Sequence, residues 1–128
     1  MASPSFKLRY MFMTNYDDED AFDKFAETLD LRPLVPAITC PVLIVAGEQD
    51  QLSPVEFSYE VFDRITAPKE IVVYEGANHS VAEAPSVALG EDPRVYLADW
   101  LAARLDGKPM QSVKAFIDST GRRTETPV

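Results

Sequence analysis

One aspartate and the chain's single histidine stand at matching places in two similar stretches. Asp50 closes "PVLIVAGEQD" and His79 closes "IVVYEGANH". Each follows an apolar run and a glycine, so each is expected just beyond the end of a strand. A carboxylate beside an imidazole fixes the ring's tautomer and stabilises the imidazolium that forms when a nucleophile gives up its proton. The chemistry such a pair serves is activation of a hydroxyl or thiol. Two plainer roles compete with it: an aspartate after a strand commonly caps a turn, and a lone loop histidine is often solvated or caps a helix.

A nucleophile is harder to find. Cys40 precedes the strand whose other end carries Asp50, and six or seven residues at ~3.3 Å each put it about 20 Å from that rim. It reads as a buried structural thiol. Ser53 shares the rim, but its hydroxyl has a sufficient task as a helix cap. Ser80 adjoins His79 and would struggle to meet its neighbour's ring in attack geometry, and Ser58 lies along a helix. Glu48 and Glu83 are further carboxylates near the rim, both expected to face solvent, with Glu83 available to a loop backbone. With one histidine there is no second imidazole for a zinc site, and no glycine-rich phosphate loop follows either strand, so neither metal nor cofactor is expected.

The elements that must position the pair follow from patterning. "VLIVAG" has no polar alternation, the habit of a strand covered on both faces in a parallel sheet. Ser53 to Thr66 reads as a helix with a capping box from Ser53 to Glu56, Pro54 in the first turn, and a buried stripe of Phe57, Val61, Phe62 and Ile65. Ile71 to Tyr74 is a second strand. A helix then starts at Asp92 and Pro93, buries Val95, Leu97, Trp100, Leu101 and Leu105, and stops at Gly107. Strand, helix, strand is a βαβ unit with a right-handed crossover. Upstream, Phe6 to Asn15 has helical spacing at Leu8, Met11 and Phe12. "DDEDAFDKFAETLDL" is a clearer helix with Phe22, Phe25, Ala26 and Leu29 on one face, ended by Pro33 and Pro36. The acids Asp17 to Asp20 suit its positive N-terminal end.

The chain's 128 residues allow one domain, and 46% apolar content suffices for a core. A formal net charge of −9 disfavours nucleic acid as a partner. No apolar run approaches the ~18 residues of a membrane span, no charged-then-apolar leader opens the chain, and a single cysteine suits a reducing compartment. A cytoplasmic protein is expected. The polar tail after Gly107, ending "STGRRTETPV", reads as loose.

"ITCPVLIVAGEQDQLSP" and "IVVYEGANHSVAEAP" together resemble the C-terminal portion of an α/β-hydrolase, over roughly Ala37 to Leu105. In that family the acid follows the penultimate core strand and the histidine the last, in the chain order Ser, Asp or Glu, His. The resemblance implies Asp50 as triad acid, His79 as general base, no cofactor, and hydrolysis of an ester, amide or related acyl bond. It also implies a helical lead-in like a cap over residues 1–36, an α/β core over 37–107 and an extra segment over 108–128. The departure is large: no G-x-S-x-G occurs, and neither the nucleophile's strand–turn–helix nor the oxyanion hole is present. The expected fold is therefore α/β, a partial hydrolase fold whose two-stranded sheet leaves open edges. Those edges should pair either with a complementing serine-bearing polypeptide or with a second copy, giving a non-enzymatic homodimer that keeps half the fold for association. An extra strand from Phe6 to Phe12 or from Val113 to Ile117 would cover an edge and weaken that expectation.

Overall fold

The computed structural model describes residues 4–90 and 92–128; Met1–Ser3, where the expected lead-in begins, and Glu91 lie outside the described residues. The chain divides into two compact units, one ending at Leu34 and the other running from Val35 to Val128.

The first unit holds helices α1 (Pro4–Thr14) and α2 (Glu19–Glu27). The acidic cluster starts α2 as its charges favour: Asp18 accepts the Ala21 N–H at 2.7 Å, and Glu19 and Asp20 occupy the first turn. Lys7 of α1 reaches both Glu19 (3.2 Å) and Asp23 (2.8 Å). Tyr16, between the helices, stacks on Phe25 with ring centroids 5.1 Å apart. α2 is shorter than its apolar stripe suggests. Thr28 turns its hydroxyl back onto the Phe25 carbonyl (2.6 Å), and Leu29 falls outside the helix.

The second unit is a four-stranded sheet in the order β1 (Val42–Gly47), β2 (Lys69–Tyr74), β3 (Val113–Ile117), β4 (Arg123–Pro127). β1, β2 and β3 run parallel, and β4 returns antiparallel along β3. The segment after Gly107, expected to be loose, thus supplies half the strands. β3 covers the edge of β2 that a two-stranded sheet would expose, so the open apolar edge left is that of β1.

α3 (Val55–Arg64) crosses from β1 to β2 and packs Phe62 against Ile71, Val73 and Ala46. α4 (Pro93–Leu105) lies on the other face, over Val72, Tyr74, Ala115 and Ile117. The strands advance in one direction across the sheet, so helices on opposite faces give the two crossovers opposite hands. One of them departs from the usual right-handed rule. Phe62, Ile71, Val72, Val73 and Tyr74 are all at most 1% exposed. Each such side chain contributes about 1.5–3 kcal/mol through burial, which anchors β2 at the centre.

Two helix faces differ from their patterns. Phe57 of α3 is 60% exposed, and on α4 Val95, Leu97, Leu101 and Leu105 all face outward. Of that stripe only Trp100 turns to the sheet, joined by Tyr96, and both serve as donors to the buried Glu70 of β2. Glu70 accepts from the Tyr96 hydroxyl, from Trp100 Nε1 at 3.0 Å and from Arg123 of β4 at 2.6 Å. Burial, reinforced by that carboxylate, pushes Tyr96 up to about 12. Lys69, also buried, donates to the carbonyls of Phe62 and Ile65 at 2.8 Å each and so closes the C-terminal end of α3. Among the described residues, no helix is long and apolar enough to cross a membrane.

Candidate active site

Both candidate residues follow parallel strands, and neighbouring parallel strands end on the same rim. Asp50 lies three residues beyond β1 and His79 five beyond β2. The in-register pair Gly47 and Tyr74 closes both strands together. The two loops that leave them then touch backbone to backbone. A Cβ on Gly47 would lie 2.1 Å from the Asn78 carbonyl oxygen and 2.5 Å from that of Ala77, so only glycine permits this approach. Gly76, at φ +68°, makes the turn that sends the second loop back over the first.

Besides the contact between Asp50 and His79 themselves, four hydrogen bonds among the described residues join the loops. The Glu48 N–H donates to the Tyr74 carbonyl (3.0 Å), the Gln49 N–H to the Ala77 carbonyl (2.9 Å) and the Gln51 N–H to Asn78 Oδ1 (3.4 Å). The Gly76 N–H donates to Glu48 Oε2 at 3.0 Å. Glu48 is exposed, as expected, and is in addition a cross-loop acceptor.

Within this frame Asp50 Oδ2 and His79 Nδ1 lie 2.9 Å apart. The same carboxylate also serves its own turn: Oδ1 accepts the N–H groups of Leu52 (2.8 Å) and Ser53 (2.9 Å). The turn-capping reading of Asp50 and the histidine-orienting one hold together, one oxygen each. The Asp50 side chain is 7% exposed and that of His79 60%. The Ser53 N–H, with His79 and the Leu52 N–H behind it, outweighs burial and holds the Asp50 carboxyl below its ordinary value of 3.8. With Nδ1–H donated to the carboxylate, His79 Nε2 is left as the acceptor nitrogen, the geometry of a general base.

Around the ring is an open depression of about 410 Å³ lined by Gln51, Leu52, Asn78, His79, Ser80 and Glu83. Among the described residues, the His79 ring hydrogen-bonds Asp50 and no hydroxyl. Ser53 does not cap α3. Pro54 disfavours helical backbone at the residue before it, so α3 starts at Val55 with no side-chain cap, and the S-x-x-E box stays unmade. Ser58 lies within α3, and Ser80 lines the depression beside His79. Cys40 stands ahead of β1, away from the rim, but is exposed rather than buried.

Comparison with known proteins adds a partial likeness. The chain is 35% identical over 52 residues to a monoglyceride lipase homolog of Monkeypox virus. That stretch is 41% of this chain and 19% of the viral protein, so the chain spans about a fifth of the relative's length. No protein-family model matches the chain, and no solved structure does. The mostly parallel sheet with helices on both faces is α/β, and the lipase-named relative supports a distant α/β-hydrolase relationship.

Proposed function

We propose that this chain is the acid- and histidine-bearing part of a serine α/β-hydrolase that cleaves an ester, amide or related acyl bond once a serine-bearing polypeptide joins it. The observation that carries the reading is the 2.9 Å contact of Asp50 Oδ2 with His79 Nδ1, which leaves Nε2 turned to other work. In this mechanism Nε2 takes the serine proton as the hydroxyl attacks the acyl carbon. The imidazolium returns that proton to the leaving group, and water repeats the cycle to free the acid. Asp50 holds the ring and stays ionised throughout.

β1 is where the serine-bearing segment would join. Val42 and Glu48 donate their N–H groups toward β2, so strand alternation turns the N–H groups of Leu43, Val45 and Gly47 outward. "VLIVAG" carries no charge or proline to blunt that edge. The exposed Phe57 and the outward Leu97, Leu101 and Leu105 supply apolar surface on both sheet faces for the same partner. The open edge also supports a second reading, a non-enzymatic homodimer joined through β1. The charge of −9 on each copy opposes that self-pairing.

The test is covalent labelling with a fluorophosphonate, read by intact mass, on the chain alone and on the chain co-expressed with the polypeptide encoded in frame immediately upstream. The expected result is no mass shift on the chain alone. A labelled serine is expected on the upstream polypeptide, dependent on His79 and lost with His79→Ala here. Stoichiometric labelling of the chain alone, lost in His79→Ala, would show a local nucleophile and sink the incomplete-enzyme reading. A stable dimer by sedimentation that labels with neither arrangement would favour the homodimer.

A further inference from the structure

Resting on the reading of Asp50 and His79 as an acid–base pair, we propose that Glu48 is its positioning residue. Its carboxylate latches the two loops so that the pair is preassembled before any nucleophile arrives.

Glu48 is the residue through which both strand ends are tied. Its N–H binds the last residue of β2 through the Tyr74 carbonyl, and its side chain captures the Gly76 N–H, each at 3.0 Å. Asp50 follows Glu48 by two residues, and His79 follows Gly76 by three. Each functional side chain thus hangs on a short lever whose root Glu48 holds. The Gly76 bond matters most because Gly76 carries the left-handed turn, φ +68°, that aims the chain toward His79. Of the other cross-loop bonds, the one nearest His79 is long, 3.4 Å from the Gln51 N–H to Asn78 Oδ1. The Glu48 bond to the Gly76 N–H, at 3.0 Å, is well inside hydrogen-bond range, and it is the reach of its acceptor oxygen that holds the turn. Steric contact adds to the same end: with the loops held so close that a Cβ at Gly47 would clash, movement of one loop is transmitted to the other.

Separating reach from charge is the point of the test, because Asp50 and Glu83 also bring negative charge to the His79 depression. Glu48→Gln keeps an acceptor oxygen at the same reach and loses the charge. Glu48→Asp keeps the charge and falls one methylene short of Gly76. Glu48→Ala loses both. The full ¹⁵N-labelled chain and the three variants are compared by NMR, reading hydrogen exchange at the Gly76 amide and the tautomer signature of the His79 ring nitrogens. Glu48 is exposed, and far-UV circular dichroism verifies folding in each variant.

The wild type should show the Nδ1–H tautomer and a protected Gly76 amide, and Glu48→Gln should match it. In Glu48→Asp and Glu48→Ala, Gly76 exchange should rise about 5-fold, the worth of one hydrogen bond, and His79 should fall into a mixture of tautomers. Faster exchange at Gly76 with an unchanged tautomer would reduce Glu48 to a structural brace and overturn the proposal. So would a Glu48→Gln that behaves like Glu48→Ala, since charge and not position would then be acting. A wild type without the Nδ1–H tautomer is a different failure: it would remove the Asp50–His79 pairing itself. Should Glu48→Ala fail to fold, the contrast between Glu48→Gln and Glu48→Asp decides alone.

Discussion

Asp50 shows how one side chain can hold two tasks without conflict. Oδ1 is saturated by the turn it closes, at the Leu52 and Ser53 N–H groups, and Oδ2 is free for His79. The Ser53 N–H is the largest cause holding the carboxyl below its ordinary value, and His79 ranks behind it. The sign follows: a carboxyl that stays ionised below the unfolded value contributes stability that is complete above that value. The contribution is lost as pH falls through the lowered folded value. Carboxyl ¹³C titration should therefore find Asp50 below 3.8 in the wild type and raised only part of the way in His79→Ala. A full return to 3.8 in that variant would mean the imidazole, and not the turn, governs this carboxylate.

At the scale of elements, the rim depends on two strands ending in register and two loops touching. Gly47 is the point of closest approach, with carbonyl oxygens 2.1 and 2.5 Å from where a Cβ would stand. Gly47→Ala must push the Ala77–Asn78 backbone away, since backbone cannot rotate aside as a side chain can. Urea unfolding should show a loss of about 1–3 kcal/mol, and the His79 tautomer should lose its definition in the same variant. Native stability in Gly47→Ala would mean the loops part freely and that their contact does not set the site. Asp50, His79 and the two flanking glycines were all legible in the chain. Glu48 was not, because a glutamate after a strand carries no mark of which backbone N–H it will meet.

For the whole molecule, the C-terminal hairpin turns a βαβ unit into a sheet with one closed side. β3 buries Ala115 and Ile117, and β4 sends Arg123 across to Glu70. Deleting Lys108–Val128 would expose the edge of β2, open Glu70 to water without Arg123, and take Ala115 and Ile117 out of the core they share with Val72 and Tyr74. Losing large buried apolar side chains costs about 2–5 kcal/mol each, a large share of the ~5–15 kcal/mol that holds a domain together. The truncated chain should lose its cooperative thermal transition by circular dichroism. A sharp transition that survives the deletion would show the hairpin to be an addition to an already stable unit.

Read by itself, the chain determined what local chemistry can determine. Unbroken apolar runs became β1 and β2, acids and prolines started α2 and α4, and glycines at strand ends put Asp50 and His79 on one rim. These signals are short in range and strong. The tertiary structure alone decided the rest. "RTETP" is polar because β4 is an edge strand, so its composition resembles a loose tail and only pairing with β3 makes it a strand. α4 turned Tyr96 inward beside the expected Trp100, and its leucines outward, because Glu70, two strands away from Arg123, had to be satisfied without water. Helical periodicity reports which residues share a face, and the buried charge on the sheet chose which face to bury.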